Sequence, residues 1–186
     1  MTTTTTDFAP LTGTYTLDAS HSRIGFVARH AMVTKVRGSF NEFEGTATID
    51  GETPSNSSVQ VTIKVESIDT RNAQRDEHIR TNDFLDVATY PQITFVSTSV
   101  EHDSGNDFRV TGDLTIRGVS KSVTIPLEYQ GSASDPFGNA RIGFEGSVVI
   151  NRKDWGVNWN AALEAGGVLV SEKVTLEFEI SAIKSA

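Results

Sequence analysis

Residues 58–66 read SVQVTIKVE, with Val59, Val61, Ile63 and Val65 alternating with Gln60, Thr62, Lys64 and Glu66. A period of two sends the two sets to opposite faces of an extended strand. The same alternation returns in Tyr15 and Leu17, in Ile24, Phe26 and Ala28, in Phe108, Val110, Leu114 and Ile116, and in Val123, Ile125, Leu127 and Tyr129. It returns again in Ile142, Phe144, Val148 and Ile150, and in Val174, Leu176, Phe178 and Ile180. Each run has one apolar face that must be laid on a core and one polar face that can meet water. Asp50-Gly51, Asp103-Ser104-Gly105-Asn106, Arg117-Gly118 and Asp135-Pro136-Phe137-Gly138-Asn139 separate the runs with turn chemistry. Runs joined this way are antiparallel neighbours, and about eight or nine of them predict a closed barrel or a two-layer sandwich. A sandwich fills its own interior, whereas an antiparallel barrel of roughly eight strands can keep an apolar space for one small ligand. The stripes Ile24, Phe26, Ala28 and Ile142, Phe144, Gly146 mix large and small residues, which leaves room for such a space.

One stretch breaks the pattern. Residues 75–95, RDEHIRTNDFLDVATYPQITF, begin with a dense run of charge. Arg71, Arg75, His78 and Asn82 fall at helical spacing, Asp76 and Arg80 are placed for an i,i+4 pair, and Asp69 or Thr70 can cap the start. A single main helix is therefore expected over residues 71–83, either as a solvated crossover or across a barrel mouth with Phe84 and Leu85 behind it. Tyr90-Pro91 then forces an extended chain into the strand QITFVSTSV.

The chain of 186 residues is long enough for one substantial core, expected over residues 13–184 behind a flexible Thr-rich tail at 1–12. It has no Cys, which removes disulfides, thiolate ligands and thiol catalysis. A net charge of −8 without a Lys/Arg block argues against nucleic acid and against electrostatic docking on anionic lipid. An uncharged or apolar ligand fits better. MTTTTTDFAPLTG lacks a basic segment and an apolar core, and no apolar run reaches membrane-spanning length, so a cytoplasmic protein without membrane insertion is expected.

The four histidines, His21, His30, His78 and His102, show no HExxH-like spacing, and no metal is expected. Ser20, His21 and Asp18 are neighbours in sequence, which is not triad geometry, and no GxSxG elbow exists, so no catalysis is expected. The alternatives are a barrel enzyme using His21, Asp76 and His78, and a packed barrel that acts through its surface.

Four ordered segments carry a resemblance: LDASHSRIGFVARHAMVTKVRGSFNEFEG, IDTRNAQRDEHIRTNDFLDVATYPQITFVST, GDLTIRGVSKSVTIPLE and GFEGSVVINRKDWGVNW. Together they resemble the YceI-like proteins, a bacterial family of lipocalin-like barrels associated with polyisoprenoid binding. The resemblance implies an all-β fold, an antiparallel eight-stranded barrel with the helix near residues 71–83. It implies a bound polyisoprenoid, isoprenoid quinone or similar lipid in an apolar tunnel, and no other cofactor. Members of the family are often periplasmic and often pair, so a homodimer is a further expectation, while the absence of a signal here leaves the compartment apart from that pattern. On this basis Ile24, Phe26, Phe40, Phe43, Phe95, Phe144 and Trp155 are expected at the tunnel and Phe84 at its mouth, although each also reads as plain core. His21, His30, Arg75, Asp76 and His78 are the polar candidates for a headgroup, or for a network tying the helix to the rim. Trp155 and Trp159 are expected to close the end opposite the helix, as a plug or as ligand contacts.

Overall fold

A computed structural model describes residues 7–163 and 167–185. Its strands are β1 (Gly13–Leu17), β2 (Arg23–His30), β3 (Thr34–Phe40), β4 (Phe43–Ile49), β5 (Ser58–Lys64), β6 (Ile68–Asp69), β7 (Gln92–Ser104), β8 (Asp107–Ile116), β9 (Val119–Ser134), β10 (Ala140–Asn151) and β11 (Lys173–Lys184). One helix, α1 (Ala73–Arg80), lies between β6 and β7.

The strands are hydrogen-bonded in the order β1-β4-β5-β7-β8-β9-β10-β11, and β11 returns to β1 through Tyr15↔Lys184 and Leu17↔Ala182. That last pairing decides between the two expected architectures, because a sandwich has edges and this sheet closes on itself. β2 and β3 prolong β1 and β4 past short breaks: β2 continues along β11, and β3 pairs with β2 from Ile24↔Phe40 to His30↔Thr34. The result is a closed, eight-staved antiparallel barrel with a single helix. Every pairing is antiparallel, as short turns between successive strands require.

The connections sort to two ends. At one, the β4–β5, β7–β8 and β9–β10 turns meet the N-terminal segment; at the other lie the β2–β3 hairpin, the β8–β9 turn, the crossover holding α1, and the long β10–β11 connection. Arg117 and Gly118 adopt left-handed conformations in the two-residue β8–β9 turn, as its mirror-image turn type demands. Asp135 accepts bonds from the amides of Phe137 and Asn139 in the β9–β10 turn.

The helix is shorter than expected. Arg71 has φ +66° and stands outside it, and Asn72, not Asp69 or Thr70, caps it by accepting from the Arg75 amide at 2.9 Å. The expected Asp76–Arg80 pair is replaced. Asp76 is buried and takes its bonds from the Thr70 amide and hydroxyl, since a buried carboxylate needs fixed donors. Arg80 turns instead to the carbonyls of Glu66 and Ile68, fastening the helix to β6.

Two buried clusters fill the wall. The larger includes Ile24, Ile63, Val65, Ile93, Phe95, Leu114 and Trp155; the smaller joins Phe8, Tyr15, Tyr129, Ile142 and Ala182 at the end away from α1. Phe8 lies in the stretch expected to be tail, yet it is only 8% exposed. A short 3-10 turn, Ala9–Leu11, follows it. Its ring meets those of Phe108, His102 and Tyr129 edge-on at 5.1, 5.3 and 5.7 Å. Gly51 permits this seat, because a Cβ there would collide with the Phe8 carbonyl. The Thr run at 2–6 lies outside the described residues.

Candidate functional site

Inside the barrel runs a cavity of about 750 Å³, within the ~300–1,000 Å³ typical of ligand sites. Its walls are the inward stripes: Ile24, Phe26 and Ala28 of β2, Val36 and Phe40 of β3, Val59, Val61 and Ile63 of β5, and Val174, Leu176, Phe178 and Ile180 of β11. Polar lining is confined to the ends. Arg29, His30, Asn72, Gln74, Arg75 and His78 stand at the helix end, and Asp50, Ser57 and Ser58 stand near the Phe8 end. Phe26 lies over Gly38, where a Cβ would strike its ring, and tilts against Phe40 at 5.8 Å.

Ile24, Phe26, Phe40, Phe84, Phe95, Phe144 and Trp155 line the cavity, together with His30, Arg75 and His78. Three expected residues lie outside it. Phe43 packs against the larger core cluster instead, its β4 neighbours Ala47 and Ile49 supplying the lining. His21 is 67% exposed on the outside, with Nδ1 2.7 Å from Asp18. Asp76 is sealed under Thr70. Two of the polar residues at the cavity have local partners: Arg75 donates to the Thr70 hydroxyl and carbonyl at 2.8 and 2.6 Å, and His78 Nε2 is 2.8 Å from Asp83. His21, Asp76 and His78 are therefore not gathered into one cluster. Among the described residues, no group of three or more His, Asp or Glu is placed to hold a metal.

The tryptophans do not close the far end. Trp155 is buried and its indole N–H donates to the Leu114 carbonyl at 2.8 Å. Trp159 packs edge-on to His78 at 4.8 Å and against Phe84 at 5.2 Å, beside the helix. The cause is Gly156, left-handed at φ +77°, which ends the 3-10 turn Arg152–Trp155 and turns the chain back over the mouth. Arg152 holds it there, donating to the carbonyls of Val157, Ser171 and Val170 at 2.7, 2.9 and 3.2 Å. Burial pulls the Arg152 guanidinium below its ordinary range, against the opposing charge of Glu172.

The YceI-like domain pattern matches residues 15–182. The chain belongs to the YceI-like family. Protein YceI of Escherichia coli is 43% identical over 140 residues, which is 75% of this chain and 73% of that protein. The barrel superimposes on BcnA of Burkholderia cenocepacia with a TM-score of 0.78 at 27% identity, over 89% of this chain and 98% of BcnA. A polyisoprenoid binding domain from Saccharophagus degradans shares the fold at a TM-score of 0.68 and 18% identity, over 91% of this chain and 98% of that one.

In this YceI-like barrel, sequence reasoning missed the aromatic floor. Phe108 and Tyr129 were legible as inward members of period-two stripes, but Phe8 stands alone among threonines and carries no period. Burial, and secondly the charge of Tyr129, push the Tyr15 hydroxyl above its ordinary pKa, so it stays protonated and donates to the Leu11 carbonyl at 2.8 Å. Chemically, the arrangement can enclose an apolar chain along walls with no hydrogen-bonding groups and meet a polar group at the helix end.

Proposed function

We propose that the protein holds a long-chain isoprenoid or a related lipid lengthwise in the barrel, for carriage, storage or sensing. The observation that carries this reading is the restriction of polar lining to the cavity ends, with apolar stripes between them. A polyprenyl chain offers no donors or acceptors along its length, so such walls match it and would strand a polar metabolite's groups without partners. At ~0.8 kcal/mol per buried CH₂, about twenty buried carbons supply roughly 16 kcal/mol gross, from which ordering and translational losses are subtracted. Affinity accordingly follows apolar chain length more than headgroup. The chain enters at the helix end, where His30, Arg75 and His78 meet the headgroup, and its tail reaches toward Phe8. The polyisoprenoid binding of the Saccharophagus degradans domain agrees with this assignment. Organic extraction of purified protein followed by mass spectrometry tests it. One stoichiometric lipid with a long apolar chain is the expected result, and an exclusively polar small molecule in its place overturns the reading.

A further inference from the structure

Residues 19–41 contain Arg23, Arg29, Lys35 and Arg37 and no Asp or Glu, in a chain whose 24 carboxylates outnumber its 16 cations. This stretch forms the arm β2–β3, and folding concentrates its charge. Arg29 faces Lys35 directly across the ladder, and Arg37 is the next outward residue along β3. Lys173 opens β11, beside β2. Arg29, Lys35, Arg37 and Lys173 are exposed and form no salt bridge with any described residue. The nearby carboxylates are engaged elsewhere, Glu172 with Lys153 and Glu177 with Arg23. Like charges opposed across strands destabilise a sheet unless an anion lies over them.

The tip of the same arm is apolar. Met32 and Val33 are 61% and 74% exposed. Ala31 and Met32 hold left-handed conformations, φ +49° and +62°, where glycine or asparagine would be the ordinary choice. Backbone strain spent on presenting a methionine to solvent points to a use for that side chain. The arm also borders the cavity: His30 bridges Val170, the Ala31 amide bonds the Leu169 carbonyl at 2.7 Å, and Arg29, His30, Leu169 and Val170 all line the mouth.

We propose that the β2–β3 arm docks the helix-end mouth onto an anionic phospholipid bilayer, with Met32 and Val33 entering the headgroup region and Arg29, Lys35 and Arg37 lying over the phosphates. The chain-wide charge repels such a surface, so approach is restricted to this acid-free arm and is thereby oriented. The association is peripheral, since no helix among the described residues is long and apolar enough to cross a membrane. Its purpose rests on the proposed lipid binding: a mouth seated on the bilayer exchanges an apolar chain without exposing it to water.

Sedimentation with vesicles of phosphatidylcholine, with and without phosphatidylglycerol, tests docking separately from cargo. Binding is expected only with phosphatidylglycerol, and it weakens with added salt as the Debye length shrinks from ~30 Å at 0.01 M to ~3 Å at 1 M. The pair Lys35→Gln and Arg37→Gln, on exposed outward positions that leave the fold intact, should lower affinity roughly thirtyfold at low salt. Met32→Ser with Val33→Ser should lower it while leaving the salt dependence in place. The Lys35 and Arg37 variant should retain affinity for a fluorescent polyprenyl probe in vesicle-free solution and acquire it more slowly from anionic vesicles. Equal binding to both vesicle types, no binding at low salt, or an unchanged Lys35 and Arg37 variant overturns docking. So does light scattering that shows these substitutions breaking a dimer, because the arm would then be covered by a second copy. Arm-dependent vesicle binding by a protein that takes up no polyprenyl probe upholds docking and overturns the lipid-binding reading alone.

Discussion

The two ends of the barrel are built on different physics. At the Phe8 end, aromatic rings pack on one another, tight turns close the strands, and an N-terminal residue far from any strand pattern is buried across the floor. At the helix end two connections are long, the crossover holding α1 and the β10–β11 segment, and hydrogen bonds hold them: Arg80 to Glu66 and Ile68, Arg117 to Asn82 and Phe84, and Arg152 to Val157, Val170 and Ser171. Dispersion and burial make a permanent closure. Side-chain bonds to loop carbonyls make one that opens locally without loss of the barrel.

The sharpest way to break this contrast is to remove the floor. Phe8→Ala should cost about 3–5 kcal/mol, in the range for buried aromatics in well-packed sites, and lower Tm by roughly ten degrees at this chain length. Met32→Ala at the opposite rim should stay within about 0.5 kcal/mol. Calorimetric melts of the two variants check the pair, and equal losses would abolish the distinction between the ends.

The tunnel between the ends gives the next largest effect. Phe26→Glu sets a carboxylate among Ile24, Val36 and Phe40 and should remove measurable binding of a long-chain polyprenol, about a hundredfold or more. His78→Ala should keep most of the affinity and its dependence on chain length, because the apolar walls remain. Titration of a fluorescent polyprenol into both proteins, each checked for its melt, decides this. If the His78 variant alone loses binding, recognition is polar and the apolar-tunnel reading is wrong.

Arg152→Leu probes the mouth from the other side. It strips three carbonyl partners from the 157–171 segment and should cost about 2–3 kcal/mol, less than their separate sum because water reaches part of the site. Amide exchange should rise in that segment and leave the Phe8 floor protected. Uniform acceleration across both ends would mean that the mouth is not an independently opening unit.

What the sequence made legible follows the same division. The staves were readable because period-two patterns persist through β5, β8, β9 and β11, and the turns because Gly105, Gly118 and Gly138 sit where left-handed backbone is needed. The helix was readable in place and not in length, since the exclusion of Arg71 and the sequestration of Asp76 depend on contacts with Thr70 made only after folding. Trp159 was assigned to the wrong end because DWGVNW reads the same whichever way Gly156 sends the chain. The arm was invisible as a charged surface for a related reason. Its cations are spaced as an ordinary strand's, and only the pairing of Arg29 with Lys35 draws them together.

The smallest expected effect concerns the outside of the Phe8 end, where Arg141 joins Asp18 and Asp135 at 2.7 Å each. The Ser20 hydroxyl and Arg141 hold the Asp18 carboxyl well below its ordinary range, and Arg141 does the same for Asp135. Both shifts are depressions from 3.8, so the unfolded chain takes up protons first as the medium is acidified. The stabilisation is complete above about pH 5 and drains away as pH falls through and below the ordinary carboxylate range. Arg141→Gln removes the share that Arg141 supplies and leaves the Ser20 bond to Asp18 and the Asn139 bonds to Asp135 in place. The Tm difference between wild type and this variant should be greatest near neutrality and narrow below about pH 4. A comparison at the helix end is available in Glu172, which Lys153 depresses from 4.5. That pair is about half exposed, so Lys153→Gln should give a smaller difference that salt erases, whereas the largely buried Arg141 cluster should keep most of its difference in salt. Melts from acid to neutral pH at two ionic strengths separate the cases. Parallel curves for wild type and Arg141→Gln would show that Arg141 does not set the titration of Asp18 or Asp135, and that its two ion pairs add nothing to the outer face of the floor.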